Sequence, residues 1–78
     1  MIKNPIRFTN KSHNLIFIYQ YFSGSFFQIS ILLKGETTIK NIQKNSYIAL
    51  KNASVIGDMV IPSETFCEFK AEQNYYII

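Results

Sequence analysis

Tryptophan is absent from this 78-residue chain, and cysteine and histidine each occur once. The single cysteine, Cys67, excludes an internal disulfide and gives no support for an oxidising compartment. No stretch approaches the roughly 20 apolar residues that a membrane helix needs. The apolar run from Leu15 to Phe22 is too short for a secretory signal, contains Gln20 and lacks a small-residue cleavage site. A cytoplasmic protein without membrane contact is therefore expected.

Aromatic and β-branched residues dominate what is present. Apolar residues make up 47% of the chain and aromatic residues 15%, with seven Phe and five Tyr. These residue types fit a pleated, partly buried surface, whereas Ala, Leu and Met, the strong helix formers, are few. The composition predicts one all-β domain, close to the lower size limit for a stable core.

Turn signals divide the chain into seven or eight short strands. Ser23-Gly24-Ser25 predicts a hairpin, and Gly35 within Lys34-Gly35-Glu36 predicts a corner where the sheet curls. Between Phe26 and Leu33 the alternation predicts one shared face for Phe27, Ile29, Ile31 and Leu33. The remaining turns are expected at 43–45, 51–53, 62–64 and 71–74, with Gly57-Asp58 inside a strand that Pro62 ends. This rhythm is typical of a small antiparallel β-roll or jelly-roll with little or no helix.

The two ends of the chain differ in character. Residues 1–14 are polar and predict an N-terminal arm or short edge strand followed by a loop, ahead of a single β domain over 15–78. The chain ends on the apolar residues Tyr75, Tyr76, Ile77 and Ile78. Such an end either closes the sheet as a final strand or marks a truncation, and both alternatives stay open. In either case these four residues are candidates for an interface.

Charge is unevenly distributed along the chain. Residues 1–45 carry a net charge of +5, and residues 46–78 carry −2. The two segments are expected to attract each other, within one chain or between two copies. The basic residues are scattered singly with no arginine cluster, so direct contact with nucleic acid is not expected.

Several short stretches resemble the cupin-like N-terminal sensor domain of AraC-type transcription regulators. They are ILLKGETTIK (31–40), YIAL (47–50), GDMVIP (57–62) and EFKAEQNYYII (68–78). The resemblance covers roughly residues 26–78 and rests on hydrophobic spacing together with Gly35, Gly57, Asp58 and Pro62. It implies a curled antiparallel domain that binds a ligand and dimerises. Such regulators also carry a helix-turn-helix DNA reader, which these 78 residues lack.

The same region is similar, more weakly, to the cyclic-nucleotide-binding domain. That family holds the cyclic phosphate with an arginine followed by small residues, and the matching stretch here is Pro62-Ser63-Glu64-Thr65. A carboxylate facing a phosphate repels it, so cyclic-nucleotide binding is not expected. Cupin enzymes hold a metal with several histidines, and His13 alone cannot build that ligand set.

Candidate site residues are few. Gly35, Glu36, Gly57 and Asp58 are interpreted either as ligand contacts or as corner residues, since Gly-Asp and Gly-Glu occur commonly in turns. Cys67 shares a strand face with Phe69 and is interpreted as a small buried hydrophobe. The carboxylates at 58, 64, 68 and 72 are too loosely spaced to predict an acid/base pair. The sequence therefore predicts neither catalysis nor a cofactor nor a bound metal.

Two functions from different classes remain open. The first is a non-catalytic sensor and dimerisation domain, whose aromatic residues either fill the core or line a cavity for a small-molecule ligand. The second is a stand-alone accessory module, of the type found in phages and mobile elements, that binds a protein partner through an exposed edge strand. A homodimer or another protein partner is expected in both cases.

Overall fold

A two-stranded ribbon that curls from one sheet to another forms the first half of the fold. The computed structural model describes residues 2–78. Strands β1 (Lys3–Thr9), β2 (Ile16–Phe22), β3 (Ser25–Leu32) and β4 (Thr37–Gln43) follow in chain order. β2 pairs antiparallel with β3, and β1 pairs antiparallel with β4. The paired strands therefore cross together from one sheet to the next, which is the curled architecture expected from the sequence.

The second half supplies a long hairpin and a short closing strand. These are β5 (Tyr47–Ile56), β6 (Met59–Lys70) and β7 (Tyr75–Ile77). The strand orders are β4-β1-β7 in the three-stranded sheet and β3-β2-β5-β6 in the four-stranded sheet. All pairs are antiparallel except β1 with β7, which is parallel. Residues 2–78 contain seven strands and no helix, as the composition predicted.

The core lies between the two sheets. Both sheets contribute alternate apolar side chains, as expected when each sheet has one buried face. The three-stranded sheet supplies Ile6, Phe8 and Ile42, and the four-stranded sheet supplies Ile16, Ile18, Leu32, Ile48 and Leu50. β1 is the middle strand of its sheet and buries Ile6 and Phe8 completely or nearly so. This central position of β1 differs from the N-terminal arm or edge strand that the sequence predicts for residues 1–14.

A β-bulge in β3 overturns the predicted face of that strand. Ile18 pairs with Ser30 and Tyr19 with Gln28, so Ile29 is the extra residue. An extra residue reverses the alternation that follows it. As a result Leu32 is fully buried, whereas Ile31 and Leu33 are exposed. The predicted stripe of Phe27, Ile29, Ile31 and Leu33 was wrong because it assumed an unbroken period of two.

The corner predicted at Gly35 is present between β3 and β4. Gly35 has a φ of +79°, a conformation that suits glycine at the third position of a type II turn. The turn is closed by the Glu36 N–H, which donates to the Leu33 carbonyl oxygen at 3.0 Å. The Gly35 N–H donates to the Asn10 carbonyl oxygen at 2.7 Å, which joins the corner to the end of β1.

The predicted turns at 51–53 and 62–64 were wrong, because both segments lie inside long strands. β5 continues through Ala53 to Ile56, and β6 carries Pro62 in its interior. The reversal lies instead at Gly57-Asp58, a two-residue loop closed by the Ile56–Met59 pair. Gly57 has a φ of +60°, which a type II′ hairpin requires at its first loop position.

Candidate binding surface

The outer end of the β5–β6 hairpin, residues 53–62, which we call the arm, projects beyond the rest of the four-stranded sheet. β2 ends its pairing with β5 at Ile16–Asn52, and past Ala53 the strands of the arm have only each other as neighbours. The molecule measures 41 Å along its longest axis and 17 Å along its shortest. The arm therefore lacks the second sheet that covers the core strands, and its side chains face solvent.

Both faces of the arm are apolar. Paired residues of an antiparallel ladder share a face, and successive pairs alternate between the two faces. Ile56 and Met59 lie on the face that continues the core side, and Val55 and Val60 lie on the opposite face. Exposed fractions reach 70% for Val55 and 63% for Met59. Ile61 and Phe66 extend the exposed apolar surface along β6. Exposed apolar side chains clustered in this way are common at interaction surfaces, which makes the arm a candidate binding element.

The charges near the arm are acidic. Asp58 occupies the second position of the tip loop, and Glu64 lies further along β6, both exposed. The single ion pair within residues 2–78 joins Lys70 to Glu72 at 4.0 Å. Asp58 therefore has no cationic partner within the described chain.

The free edge of β6 is poorly suited to adding another strand. The register of the β5–β6 ladder shifts between Leu50 and Lys51 and again between Lys51 and Ala53, so the strand is bulged at two places. Pro62 interrupts the edge a third time because it has no N–H to donate. A binding role of the arm would therefore depend on its side chains rather than on backbone pairing.

A groove with a positive charge lies on the outer face of the three-stranded sheet. It has a volume of about 580 Å³. The groove is lined by Asn4, Pro5, Arg7, Ile39, Asn74 and Tyr75. The Arg7 guanidinium lies over the Tyr75 ring, with Cζ 5.8 Å from the centroid, and Ile39 is paired with Arg7 across the ladder. The walls combine the apolar groups of Pro5, Ile39 and Tyr75 with the amides of Asn4 and Asn74. Together with one cation that has no carboxylate partner in residues 2–78, they suit a partly apolar ligand that carries an acid.

The predicted corner residues have local structural roles in two separate turns. The Glu36 carboxylate accepts the Leu33 N–H at 3.1 Å, which stabilises the corner around Gly35. Gly57 and Asp58 form the arm tip instead, so the structure does not gather the four residues into one pocket. No group of three or more His, Cys, Asp or Glu side chains that could hold a metal occurs within the described residues.

The C-terminal candidates divide into two pairs. Tyr76 and Ile78 pack against the core, where the Tyr76 ring lies 4.5 Å from Phe69 and 5.8 Å from Phe8 between centroids. Tyr75 and Ile77 face outward and are about half exposed. Tyr75 is thus the interface candidate that lines the groove. The closing strand is anchored where the Ile78 N–H donates to the Thr9 carbonyl oxygen at 2.9 Å.

The remaining sequence candidates do not form a site. His13 is exposed in the loop after β1, and Cys67 is a half-buried free thiol that packs against the core together with Phe69. The aromatic residues that the sequence offers for a cavity, Phe17, Tyr19, Tyr21, Phe27, Tyr47 and Phe69, are dispersed in the structure. Phe17 is buried, Phe69 packs against the core, and Phe27 and Tyr47 are exposed. Sequence reasoning missed the arm and Arg7. The available signal for the arm was Gly57-Asp58 between two apolar pairs, a short-range hairpin pattern.

Comparison with family models, with curated proteins and with solved structures gives no match to this chain. The resemblance to the AraC-type sensor domain therefore stays a prediction. Residues 2–78 also contain no helix with the length and apolar character needed to cross a membrane.

Proposed function

We propose that this chain is a non-catalytic self-association domain and that the arm is its binding element. The observation that carries the proposal is the apolar character of both arm faces, with Val55 and Val60 on one side and Ile56 and Met59 on the other. A ribbon that is apolar on both faces gains most when both are covered, which requires insertion into a partner rather than contact along one side.

A second copy is the partner that the charge distribution favours. The arm belongs to the acidic segment of the chain, and the basic segment forms β1 to β4. Two copies can therefore bring opposite charges together twice across a twofold axis. A lipid surface is less favourable, because Asp58 at the arm tip would have to enter the apolar layer and anionic headgroups repel Glu64.

The arm supports one part of the AraC-type prediction, namely self-association. The regulation of transcription belongs to that same proposal and rests on the sequence resemblance alone, whereas the sensing of a small molecule rests on that resemblance and on the groove around Arg7. The alternative, an accessory module that adds a strand to a partner, is less favoured at β6 because of Pro62 and the two bulges.

Sedimentation velocity over a concentration series tests the proposal. We expect the unmodified chain to dimerise, and Ile56→Ser combined with Met59→Ser to remove the dimer without changing the fold, because both side chains are exposed. Leu33→Ser is the matched control, since Leu33 is 58% exposed and lies outside both the arm and the groove. A chain that stays monomeric at every concentration, or a dimer insensitive to the paired arm substitution, contradicts the proposal.

A further inference from the structure

We infer that the arm of one copy docks in the Arg7 groove of a second copy, with Asp58 at the arm tip paired to Arg7 of the partner. This inference rests on the proposed self-association and specifies its contact. It assigns a binding role to the outer face of the three-stranded sheet, which the core does not use.

The chemistry of the two surfaces is complementary. The arm tip presents one carboxylate flanked by Ile56 and Met59. The groove presents one guanidinium flanked by Ile39 and Tyr75, both about half exposed. Arg7 also lies over the Tyr75 ring, which holds the guanidinium at the groove surface. A carboxylate that enters this groove meets a cation in partly apolar surroundings, where an ion pair is screened less than on an open surface.

The alternative in which two arms pack against each other has an electrostatic cost. A symmetric contact between two arms brings the two Asp58 carboxylates and the two Glu64 carboxylates into the same interface. Residues 52–66, which include both carboxylates, contain no lysine or arginine to balance those charges, and the nearest cation of the hairpin, Lys51, lies over the Tyr19 ring. Like charges placed together in an interface disfavour that arrangement. Docking of the arm in the groove removes the repulsion and uses the unpaired Arg7.

The symmetry of a twofold dimer makes this contact testable by mixing two variants. In the homodimer of Arg7→Glu, each of the two contacts would hold two carboxylates. In the homodimer of Asp58→Arg, each contact would hold two guanidiniums. A heterodimer of the two variants restores opposite charges at both contacts, one native and one reversed. We therefore expect each variant alone to dimerise at least about tenfold more weakly than the unmodified chain, and the mixture to recover dimers.

Native mass spectrometry of the mixture identifies the heterodimer by its mass, and sedimentation velocity gives the dissociation constants. Lys34→Glu is the control for net charge, because Lys34 is exposed in the β3–β4 corner away from the groove. Circular dichroism confirms that each variant keeps the fold. Recovery of the heterodimer together with a control that dimerises normally supports the inference.

Other outcomes would overturn the inference that the arm docks in the groove, and they can be distinguished from failure of the proposed function. If the unmodified chain dimerises but Arg7→Glu leaves the dissociation constant within about twofold, the arm docks elsewhere. If Asp58→Arg alone strengthens association and Arg7→Glu has no effect, the arms contact each other. A monomeric unmodified chain contradicts the proposed function itself.

Discussion

Pro62 lies directly opposite Ala53 in the arm, at a pair whose backbone groups point away from each other. The Ala53 N–H donates to the Leu15 carbonyl oxygen at 3.0 Å, on the side of β5 that faces β2. The pair is therefore a non-hydrogen-bonded one, in which the nitrogen of the opposite residue faces outward as well. For Pro62, this direction is the free edge of β6. The pyrrolidine ring of Pro62 therefore removes an N–H group only on the side of β6 that has no neighbouring strand within residues 2–78.

The first prediction concerns this position. Pro62→Thr restores an N–H on the free edge, and we expect a change in unfolding free energy within about 1 kcal/mol, because no native hydrogen bond is lost. We also expect faster aggregation, since the edge gains a donor for pairing with another chain. Chemical denaturation and static light scattering measure the two effects.

Ala53→Pro is the mirror-image control on the opposite strand. It removes the donor of the Ala53–Leu15 hydrogen bond, so we expect a loss of about 3 kcal/mol or more. Equal stability losses for Pro62→Thr and Ala53→Pro would contradict the assigned direction of the two backbone groups.

The second prediction concerns the corner at Gly35. A Cβ built on this glycine meets no atom within 4 Å, so only the backbone conformation resists a side chain. We expect Gly35→Ala to lower the unfolding free energy by about 1–2 kcal/mol, and Gly35→Asn to cost less because asparagine tolerates the left-handed region. Urea denaturation distinguishes them. An alanine variant as stable as the unmodified chain would show that the corner does not need a positive φ.

The third prediction concerns Asn10, a fully buried polar residue that organises the loop after β1. Its Nδ2 donates to the Leu32 carbonyl oxygen at 3.0 Å and to the Asn14 carbonyl oxygen at 2.7 Å. Its Oδ1 accepts the Ser12 N–H at 3.0 Å and the Ser12 hydroxyl at 2.6 Å. Asn10→Ala removes all four of these hydrogen bonds, two of the Nδ2 group and two of Oδ1, and we expect a loss of about 2–3 kcal/mol in unfolding free energy.

Asn14→Ala is the matched control for Asn10→Ala, because Asn14 is exposed and takes part in this loop through its backbone. We expect its unfolding free energy to stay within about 0.5 kcal/mol of the unmodified chain. Similar losses for the two variants would show that the buried network contributes little.

The sequence predicted the features that depend on local chemistry. The all-β class follows from composition, and the Ser23-Gly24 hairpin and the Gly35 corner follow from glycine at positions of positive φ. Features that depend on neighbouring strands were missed. The sequence predicts that Pro62 ends a strand, whereas Pro62 lies inside β6. A proline is tolerated within a strand at the edge of a sheet, and the local sequence does not show that β6 is an edge strand. The sequence likewise predicts Gly57-Asp58 inside one strand, whereas the flanking residues pair with each other and the chain reverses there.

The candidate site was predictable only in part. Tyr75 was named as an interface residue and lines the groove, but Arg7 carries no local signal that distinguishes it from the other scattered cations. Its position beside Ile39 and Tyr75 arises from pairings between strands more than 30 residues apart in the chain. The bulge at Ile29 likewise depends on the register of the β2–β3 pairing, and no residue type between Phe26 and Leu33 indicates it.

The last prediction tests that bulge through two neighbouring residues, Ile31 and Leu32. An unbroken alternation buries Ile31 and exposes Leu32, whereas the observed register buries Leu32 fully and leaves Ile31 46% exposed. We expect Leu32→Ala to cost about 2–5 kcal/mol, because it opens a cavity between the sheets, and Ile31→Ala to cost less than about 1.5 kcal/mol. Urea denaturation of the two variants gives the difference. The reverse order of the two losses would mean that β3 has no bulge and that its faces follow the simple period of two.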